Sequence, residues 1–487
     1  MIRVFGLRGF RRSKLPTKQY TSNTFLSSLL YGLNKGYYLL MDTLLRFGRK
    51  LIPKGLFEAA QPIYHYLLAL AGALLYRFPA HAKLSSWTRL GGPSREIKVV
   101  GITGTKGKTT TAELINAILE EAGFKTALAG TLRFKIGDEE ERNLYKMTTP
   151  GRFFIQKFLR RAVSAKCDYA VLELTSEGAK QFRHAFIDLD ALIFLNLAPE
   201  HIESHGSYEK YKEAKLKIAE ALARSKKKNP TLIANADDKE SGSFLALPVT
   251  EKRTFSLADA KPYTLKENGS DITIDDRELF LPLPGVFNIY NALAAITFAK
   301  SQKIPFQIVK KALENIKGVR GRMEKIEVVP FNGIQGKQEF LVYVDYAHTP
   351  GSLEAVYQTF PDKNKICVLG NTGGGRDKWK RPEMGKIADH YCSRVILTNE
   401  DPYDEDPMAI LEDMKKGITR HMPEIILNRR MAIQKALSYA KPGEVVFITG
   451  KGTDPYIMGK RGKKEVWDDA TVVREELQKL NESKPAV

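Results

Sequence analysis

The chain has 487 residues, too many for one hydrophobic core, so about three domains are expected. Hydrophobic residues make up 43% and aromatic residues 10% of the sequence, which excludes an intrinsically disordered protein. The formal net charge is +20, and its distribution along the chain indicates which partners to expect.

Residues 1–95 carry most of this charge, with 15 Lys and Arg against 2 acidic residues, a surplus of 13. Such an excess favours an anionic partner, either a membrane or a nucleic acid. A membrane is favoured because apolar side chains recur at helical spacing and basic ones follow, whereas no motif supports nucleic-acid binding. The apolar side chains are Phe25, Leu29, Leu33, Tyr37, Leu40 and Leu44.

A second helical pattern extends from Phe57 to Phe78, and its apolar run Leu67–Leu75 is shorter than the ~20 residues that span a bilayer. Two interpretations stay open for this basic region: a helix lying on an anionic membrane face, or a helical module packed on the rest of the protein. The first 20 residues lack an apolar segment and a cleavage site, so no signal peptide is predicted. We expect a cytoplasmic protein, with peripheral attachment to the inner membrane face as the open alternative.

A phosphate-binding loop is predicted at residues 98–111, where an apolar strand pattern leads into a glycine-rich turn and then a helical pattern over Ala112–Leu119. The strict Walker spacing is not met, because Ile102 stands where a glycine is usual, although Gly101 and Gly104 flank it. In such a loop, backbone N–H groups face an anion, a lysine supplies a cation and a threonine hydroxyl reaches Mg²⁺. The predicted nucleotide contacts are Gly104, Thr105, Gly107, Lys108, Thr109 and Thr110.

Apolar β-type runs alternate with helical ones from Ile97 to about Lys317, pause at Gly318–Arg322 and then resume. This alternation predicts parallel α/β sheets. We therefore expect a central P-loop ATPase domain at 96–317 and a Rossmann-like domain at 318–487, after a helical module at 1–95 and a linker at Gly91–Ser94. The clearest predicted strands are Val99–Ile102, Tyr169–Leu174, Ala191–Leu195, Thr231–Ala234, Glu339–Val344, Ile366–Leu369, Arg394–Thr398 and Glu444–Thr449.

Glu173 ends one predicted strand, and His201 follows another. Both belong at the carboxyl edge of the parallel sheet, where the phosphate loop also lies and where ligands bind. A carboxylate and an imidazole converging there predict a second Mg²⁺ site, although a lone His201 is more often an ordinary loop residue. The cysteines form no CxxC pair, which predicts neither a disulfide framework nor a cysteine-built zinc site and fits a reducing cytosol.

A series of ordered motifs resembles the Mur ligase family, and the later ones resemble the tripeptide synthetases (MurE type) of that family. Residues 98 to about 480 are covered. In the family, an acid–histidine pair is followed fourteen residues later by a lysine that CO₂ carbamylates, and here His201 is followed by Lys215. The matching stretches are Thr148–Pro150, Glu173–Glu177, His201–Lys215, Asn235–Asp238, Gly285–Asn291, Gly318–Glu324, Asp345–Pro350, Gly375–Pro382, Asp401–Pro402 and Gly450–Gly452.

The resemblance implies an ATP- and Mg²⁺-dependent ligase that activates a carboxylate as an acyl-phosphate, which an amine then attacks. Lys108 and the loop N–H groups would neutralise the moving phosphoryl group, because its charge must be met from several sides. One Mg²⁺ would be held by Thr109, and a second by Glu173, His201 and the carbamate on Lys215. Lys108, Glu173, His201 and Lys215 are thereby the expected catalytic residues.

The same resemblance assigns the remaining site residues. Asn288 and Asn291 would lie near the adenine, Asp345 near the ribose and Arg322 near the phosphates. Residues expected to hold the peptidyl acceptor or the incoming amino acid are Thr148, Thr149, Thr175, Gln181, Arg183, Arg376, Asp401, Tyr403, Gly450 and Asp454.

The chain departs from the family pattern in two places. The first domain of the family binds a uridine nucleotide, but residues 1–95 carry no motif for it, so an acceptor with another carrier stays open. The diaminopimelate-adding enzymes carry Asp-Asn-Pro-Arg where this chain has Glu400–Tyr403, and Asp454 replaces a glutamate.

The second departure concerns the incoming amino acid. Tyr403 has no charge to meet a distal carboxylate, and Glu400, Asp401, Asp404 and Asp454 form a group of acids that suits a distal ammonium. Lysine or ornithine is therefore favoured over meso-diaminopimelate. The alternative is that several of these acids only cap the following helix.

The sequence thus predicts a ligase of peptidoglycan precursor synthesis that adds the third residue to a muramoyl dipeptide. Two alternatives stay open: a related amide ligase acting on a different, membrane-linked carboxylate, and a P-loop ATPase or binding module at a membrane.

Overall fold

The computed structural model describes residues 54–81, 97–327 and 340–482. The predicted stripe Phe25–Leu44 and the predicted linker Gly91–Ser94 lie outside these ranges. The described residues from His65 onward belong to one compact unit.

The second helical pattern of the basic region is confirmed as helix α1 (Lys54–Leu75). The Tyr66 ring of this helix packs against Phe182 and Phe186, with centroid distances of 5.7 and 5.3 Å. Among the described helices, none has the length and apolar character needed to cross a membrane.

An eight-stranded sheet occupies the central part of the chain, in the order β4-β3-β2-β5-β1-β6-β7-β8. Six of these strands run parallel, as predicted: β2, β5, β1, β6, β7 and β8. The other two, β3 and β4, form an antiparallel edge that was not predicted from the sequence. The strands are β1 (Lys98–Thr103), β2 (Thr126–Ala129), β3 (Arg133–Ile136), β4 (Glu139–Arg142), β5 (Tyr169–Glu173), β6 (Ala191–Phe194), β7 (Thr231–Asn235) and β8 (Glu251–Phe255).

Helices cover both faces of this sheet, because its central parallel strands β1, β5, β6 and β7 are buried and each face needs an apolar cover. One face packs against α2, α8 and α9, the other mainly against α3, α6 and α7. The helices are α2 (Lys108–Glu121), α3 (Arg152–Ser164), α4 (Ser176–Lys180), α5 (Ile202–His205), α6 (Tyr208–Ala223), α7 (Ser241–Leu245), α8 (Val286–Ser301) and α9 (Phe306–Glu314). A small antiparallel sheet of β9 (Tyr263–Lys266), β10 (Gly269–Ile274) and β11 (Arg277–Leu281) precedes α8.

A six-stranded sheet forms the core of the C-terminal part, in the order β12-β13-β17-β14-β15-β16, parallel except for β12. Its strands are β12 (Glu324–Lys325), β13 (Leu341–Asp345), β14 (Lys365–Leu369), β15 (Arg394–Leu397), β16 (Glu424–Ile425) and β17 (Val445–Thr449), followed by the hairpin β18 (Tyr456–Met458) and β19 (Lys464–Val466). The helices are α10 (Pro350–Tyr357), α11 (Lys380–Tyr391), α12 (Pro407–Lys415), α13 (Arg429–Tyr439) and α14 (Asp469–Glu482).

Cys367 and Cys392 are joined by a disulfide, contrary to the expectation that the cysteines stand alone. Cys367 lies on β14, and Cys392 immediately precedes the neighbouring strand β15. Sequence spacing alone does not reveal this proximity, because an entire helix separates the two residues. Cys167 is a buried free thiol.

Candidate active site

The phosphate loop is built as predicted, with β1 ending at Thr103 and α2 beginning at Lys108. Gly107 is the residue before the helix and has a φ of 83°, a left-handed conformation that favours glycine. A Cβ at this position would lie 2.2 Å from Oδ1 of Asn291, so space also demands glycine here. The free N–H groups of the first helical turn therefore open onto the loop, where an anion binds.

Two lysines meet at one carbonyl oxygen of this loop. Nζ of Lys108 donates to O of Gly104 at 2.8 Å and to O of Thr105 at 2.9 Å, and Nζ of Lys215 donates to the same O of Gly104 at 2.8 Å. Lys215 lies on α6 with only 1% of its surface exposed. Burial, and then the nearby charge of Lys108, lower the pKa of Lys215 well below its ordinary value. A lowered pKa favours the neutral amine over the ammonium form at this position.

Glu173 ends β5 beside the loop and is 1% exposed. Its Oε2 accepts hydrogen bonds from Oγ1 of Thr109 and Oγ1 of Thr131, both at 3.0 Å, and its Oε1 accepts one from the Thr131 N–H at 2.7 Å. Burial raises the pKa of Glu173 despite these bonds and the charge of Lys108. A hydroxyl and a carboxylate in contact supply the oxygen donors that Mg²⁺ prefers, so the residues present fit this ion.

His201 precedes α5 in a left-handed conformation, with a φ of 57°. Its Nε2 lies 4.0 Å from Oε1 of Glu200, and burial, opposed by Glu200, lowers the pKa of His201 to about 4. The imidazole is therefore neutral at pH 7 and able to act as a metal ligand. Among the residues that the structure describes, no three His, Cys, Asp or Glu side chains form a metal-binding group, so the predicted set of Thr109, Glu173, His201 and Lys215 stays a prediction.

Glu200 itself connects the two large sheets of the molecule. Its Oε1 lies 3.1 Å from Nε2 of His348, which follows β13. Burial alone would raise the pKa of Glu200, but the hydrogen bond and charge of His348 outweigh it and hold this pKa below its usual range. Glu200 was not predicted as a site residue, although the acid–histidine pair of the family could have indicated it together with His201.

The residues expected at the adenine, ribose and phosphates are all described. Asn288 and Asn291 are buried one turn apart on α8, and their side chains bond to each other at 3.1 Å. Asp345 ends β13, where its carboxylate accepts the N–H groups of Met323 and Ala347, both at 2.7 Å. The Arg322 guanidinium lies 4.7 Å from the centre of the ring of Tyr346, the residue that follows Asp345.

The residues expected at the peptidyl acceptor surround Glu173. Oγ1 of Thr149 donates to the backbone O of Glu173 at 3.0 Å, and Oγ1 of Thr148 lies 3.1 Å from Oγ1 of Thr131. Nη1 of Arg183 donates to O of Thr149, and its Nη2 donates to Oε1 of Gln181 at 2.8 Å. Thr175 caps α4 by accepting the N–H of Gly178, so this side chain also has a local structural role.

At the expected amino-acid site, the two aspartates are not free. Asp401 is paired with Lys146 at 2.6 Å and Lys451 at 3.0 Å, and Asp454 is paired with the same lysines at 3.1 and 2.9 Å. The premise that these acids await a distal ammonium is therefore wrong for both aspartates. Lys146 was not singled out from the sequence, because it is more than 250 positions from Asp401 and only the fold brings them together. Lys451 lies within the matching stretch Gly450–Gly452 but was given no role of its own.

Three further expected residues complete this part of the site. Tyr403 has a φ of 51° and donates its N–H to O of Met458. Gly450 has a φ of 106°, and a Cβ there would lie 2.4 Å from Oε2 of Glu400, an oxygen that has no hydrogen-bond partner within the described residues. Arg376 is partly exposed and lies 3.6 Å from Oε1 of Glu203.

Comparison with known proteins gives consistent matches over this site. The profile of the Mur ligase middle domain matches residues 102–299, and that of the Mur ligase glutamate ligase domain matches residues 321–452. A UDP-N-acetylmuramoyl-L-alanyl-D-glutamate–2,6-diaminopimelate ligase from Syntrophomonas wolfei is 37% identical over 402 residues, covering 80% of this chain and 79% of the relative. A UDP-N-acetylmuramyl-tripeptide synthetase from Roseiflexus is 36% identical, with 80% of each chain covered.

A solved structure gives the same result. It is that of a UDP-N-acetylmuramoyl-L-alanyl-D-glutamate–2,6-diaminopimelate ligase, with 28% identity, a TM-score of 0.53 and 79% of each chain covered.

Proposed function

The chain belongs to the Mur ligase family, and from that premise we propose that it joins an amino acid to the carboxylate of a muramoyl dipeptide, with ATP hydrolysis, in peptidoglycan precursor synthesis. The observation that carries the proposal is the pair of lysines at Gly104, in which Lys215 is buried, adjacent to the phosphate loop and lowered in pKa. The family uses ATP and Mg²⁺, and the loop, Thr109 and Glu173 suit both.

Lys108 and the N–H groups of the loop would hold the ATP phosphates, with Asn288 and Asn291 near the base, Asp345 near the ribose and Arg322 reaching the phosphates from the C-terminal part. Bound Mg²⁺ would neutralise charge on the transferred phosphoryl group. The chain's own contribution is to hold Lys108 at the loop, where its side chain is partly buried and donates to O of Gly104 and O of Thr105.

We propose that Lys215 carries a carbamate. The neutral amine forms a C–N bond with CO₂ and releases one proton, and the product is an anion in place of a potential cation. Burial and the proximity of Lys108 support this step, because both favour the neutral amine, and the resulting anion would then face the charge of Lys108. Glu173, His201 and the modified Lys215 would together hold the second Mg²⁺.

The acceptor would lie against Thr148, Thr149, Thr175, Gln181 and Arg183, and the amino acid against Arg376, Asp401, Tyr403, Gly450 and Asp454. The preference for a lysine-like amino acid was predicted from the uncharged Tyr403 and a group of four acids. Because Lys146 and Lys451 pair with Asp401 and Asp454, only Tyr403, Glu400 and Asp404 still support this preference.

The proposed division of labour follows the two sheets. Residues 96–317 would form the ATP-binding domain, residues 318–487 the domain that brings the amino acid, and residues 1–95 a basic module. The division is supported by the span of the eight-stranded and six-stranded sheets, which lie on either side of residue 318.

We propose attachment of the basic module to an anionic membrane face, since its surplus of 13 positive charges would be attracted there. Flotation of the full chain with vesicles tests this. Recovery with anionic vesicles that falls with added salt is expected, and equal recovery with neutral and anionic vesicles would contradict it.

The deciding experiment measures phosphate release by the full chain with ATP, Mg²⁺, UDP-N-acetylmuramoyl-L-alanyl-D-glutamate and an amino acid, with mass detection of the product. Phosphate release is expected only when acceptor and amino acid are both present, with a product equal to their sum less one water. Release that needs neither would favour a P-loop ATPase at a membrane. Release with a different carboxylate acceptor only would favour the related amide ligase.

A further inference from the structure

Lys146, a residue of the central part of the chain, lies among the acidic side chains of the proposed amino-acid site. Lys146 lies between Asp401 and Asp454, with its Nζ 2.6 Å from Oδ2 of the first and 3.1 Å from Oδ2 of the second. Lys451 contacts the same two carboxylates and is 1% exposed. We call these four side chains the junction cluster.

The cluster is balanced in charge and well supplied with hydrogen bonds. Asp401 also accepts the N–H of Met458 at 2.8 Å, and O of Tyr456 accepts from Lys451 at 2.6 Å and from Lys146 at 3.3 Å. Two ammonium groups thus face two carboxylates, with side-chain exposures of 16% or less. Another cation entering here would meet two like charges at short range in a poorly hydrated site.

The position of Lys146 is fixed by the loop that carries it, between β4 and α3. The buried Asn143 donates from Nδ2 to O of Met147 and to O of Gly130, both at 2.9 Å, so it ties the loop to the sheet on both sides of Lys146. Arg142, at the start of the loop, donates to O of Thr453 and to Oδ2 of Asp468, both at 2.8 Å. The hydrogen bonds of Asn143 and Arg142 therefore fix the backbone from which the Lys146 side chain extends into the junction cluster.

We propose that Lys146 is a specificity-determining residue: its ammonium occupies the place between Asp401 and Asp454 that a distal ammonium of the substrate would take. An amino acid with a lone distal ammonium is thereby disfavoured relative to one whose distal end has no net charge, such as a second amino-acid zwitterion. This inference rests on the proposed function, because it assumes that the amino acid binds at Asp401 and Asp454.

The test compares kcat/KM for lysine and for meso-diaminopimelate at saturating ATP and acceptor. In Lys146→Met the ratio of lysine to diaminopimelate should rise by about tenfold or more, because the two aspartates then share one lysine. Lys146→Arg keeps the charge and should retain the wild-type ratio. Lys460→Met, the control, removes an exposed cation that does not contact the junction cluster and should alter both substrates alike.

The outcomes separate the inference from the proposed function. An unchanged ratio in Lys146→Met, or an equal change in Lys460→Met, overturns the role of Lys146 while leaving the ligase assignment intact. A wild-type chain that forms no amide product with any amino acid overturns the proposed function itself. If Lys146→Met is inactive with both substrates, Asp454→Asn decides. Loss of this carboxylate leaves Lys146 and Lys451 facing Asp401 alone, so the ratio should fall, and an unchanged or higher ratio contradicts the proposal.

Discussion

The phosphate loop and the junction cluster each contain one buried and one partly buried lysine, in opposite surroundings. At the loop, Lys108 and Lys215 share a backbone carbonyl oxygen, and the pKa of both is lowered, chiefly by burial. At the junction, Lys146 and Lys451 each contact two aspartates, and these carboxylates raise the pKa of Lys146 in spite of burial. The pKa of a lysine with little exposure to solvent is therefore lowered or raised according to the carboxylates beside it.

The largest effect that would sharpen this comparison is expected from Lys215→Ala. Ligation should fall by at least about 10²–10³-fold, because stabilisation of the transferred phosphoryl group is lost, while ATP binding stays near wild type. Ligation rate and ATP affinity are measured in parallel. Lys217→Ala, two positions along the same helix and exposed to solvent, serves as the control. Wild-type ligation by Lys215→Ala would show that this lysine is structural only.

At the junction, Lys451→Met should act on stability. It removes one of two partners from two buried carboxylates, so the free energy of unfolding should fall by about 3 kcal/mol. Denaturant unfolding measures the change, with the exposed Lys460→Met as the control. A loss no larger than that of the control would mean that Lys146 alone balances the aspartates.

A smaller effect is expected at His184, a buried base that resembles the loop lysines. Burial lowers the pKa of His184 to about 4 from 6.5, and its Nδ1 has no hydrogen-bond partner within the described residues. Between these two values the unfolded chain binds a proton that the folded chain does not, so stability should fall as the pH decreases through this window.

His184→Leu removes this dependence. From pH 7 to pH 5 the wild type should lose about 2 kcal/mol more than the variant. Unfolding at both pH values measures it, with the exposed His390→Gln as the control, which should follow the wild type. Parallel losses in wild type and His184→Leu would show that His184 is protonated in the folded state.

Local patterns in the sequence were sufficient for the phosphate loop and the parallel strands, because a buried strand followed by a glycine turn and a helix is specified by neighbouring residues. The resemblance to a family supplied Lys215, and the structure adds its burial and its shared carbonyl. Strand β4, with the sequence Glu-Glu-Glu-Arg, was missed because it has no apolar alternation and is fully exposed.

Contacts between distant parts of the chain could not be predicted in this way. Lys146 looks like an exposed loop lysine from its neighbours, and its two aspartates lie on the other side of residue 318. The same holds for Glu200 with His348 and for the disulfide of Cys367 with Cys392. The sequence identifies the acidic residues of the proposed amino-acid site, but not Lys146, which pairs with two of them and lies in a distant part of the chain.

The loop between β4 and α3 has a further consequence for how the enzyme could be altered. Within eight residues it carries Arg142 and Lys146, which contact the C-terminal part, and then Thr148 and Thr149, which contact the groups around Glu173. Under the proposed assignment, the contacts to the amino acid and those to the acceptor thus lie on one short loop. Substitutions in this loop that change the choice of amino acid are therefore expected to change the affinity for the acceptor as well.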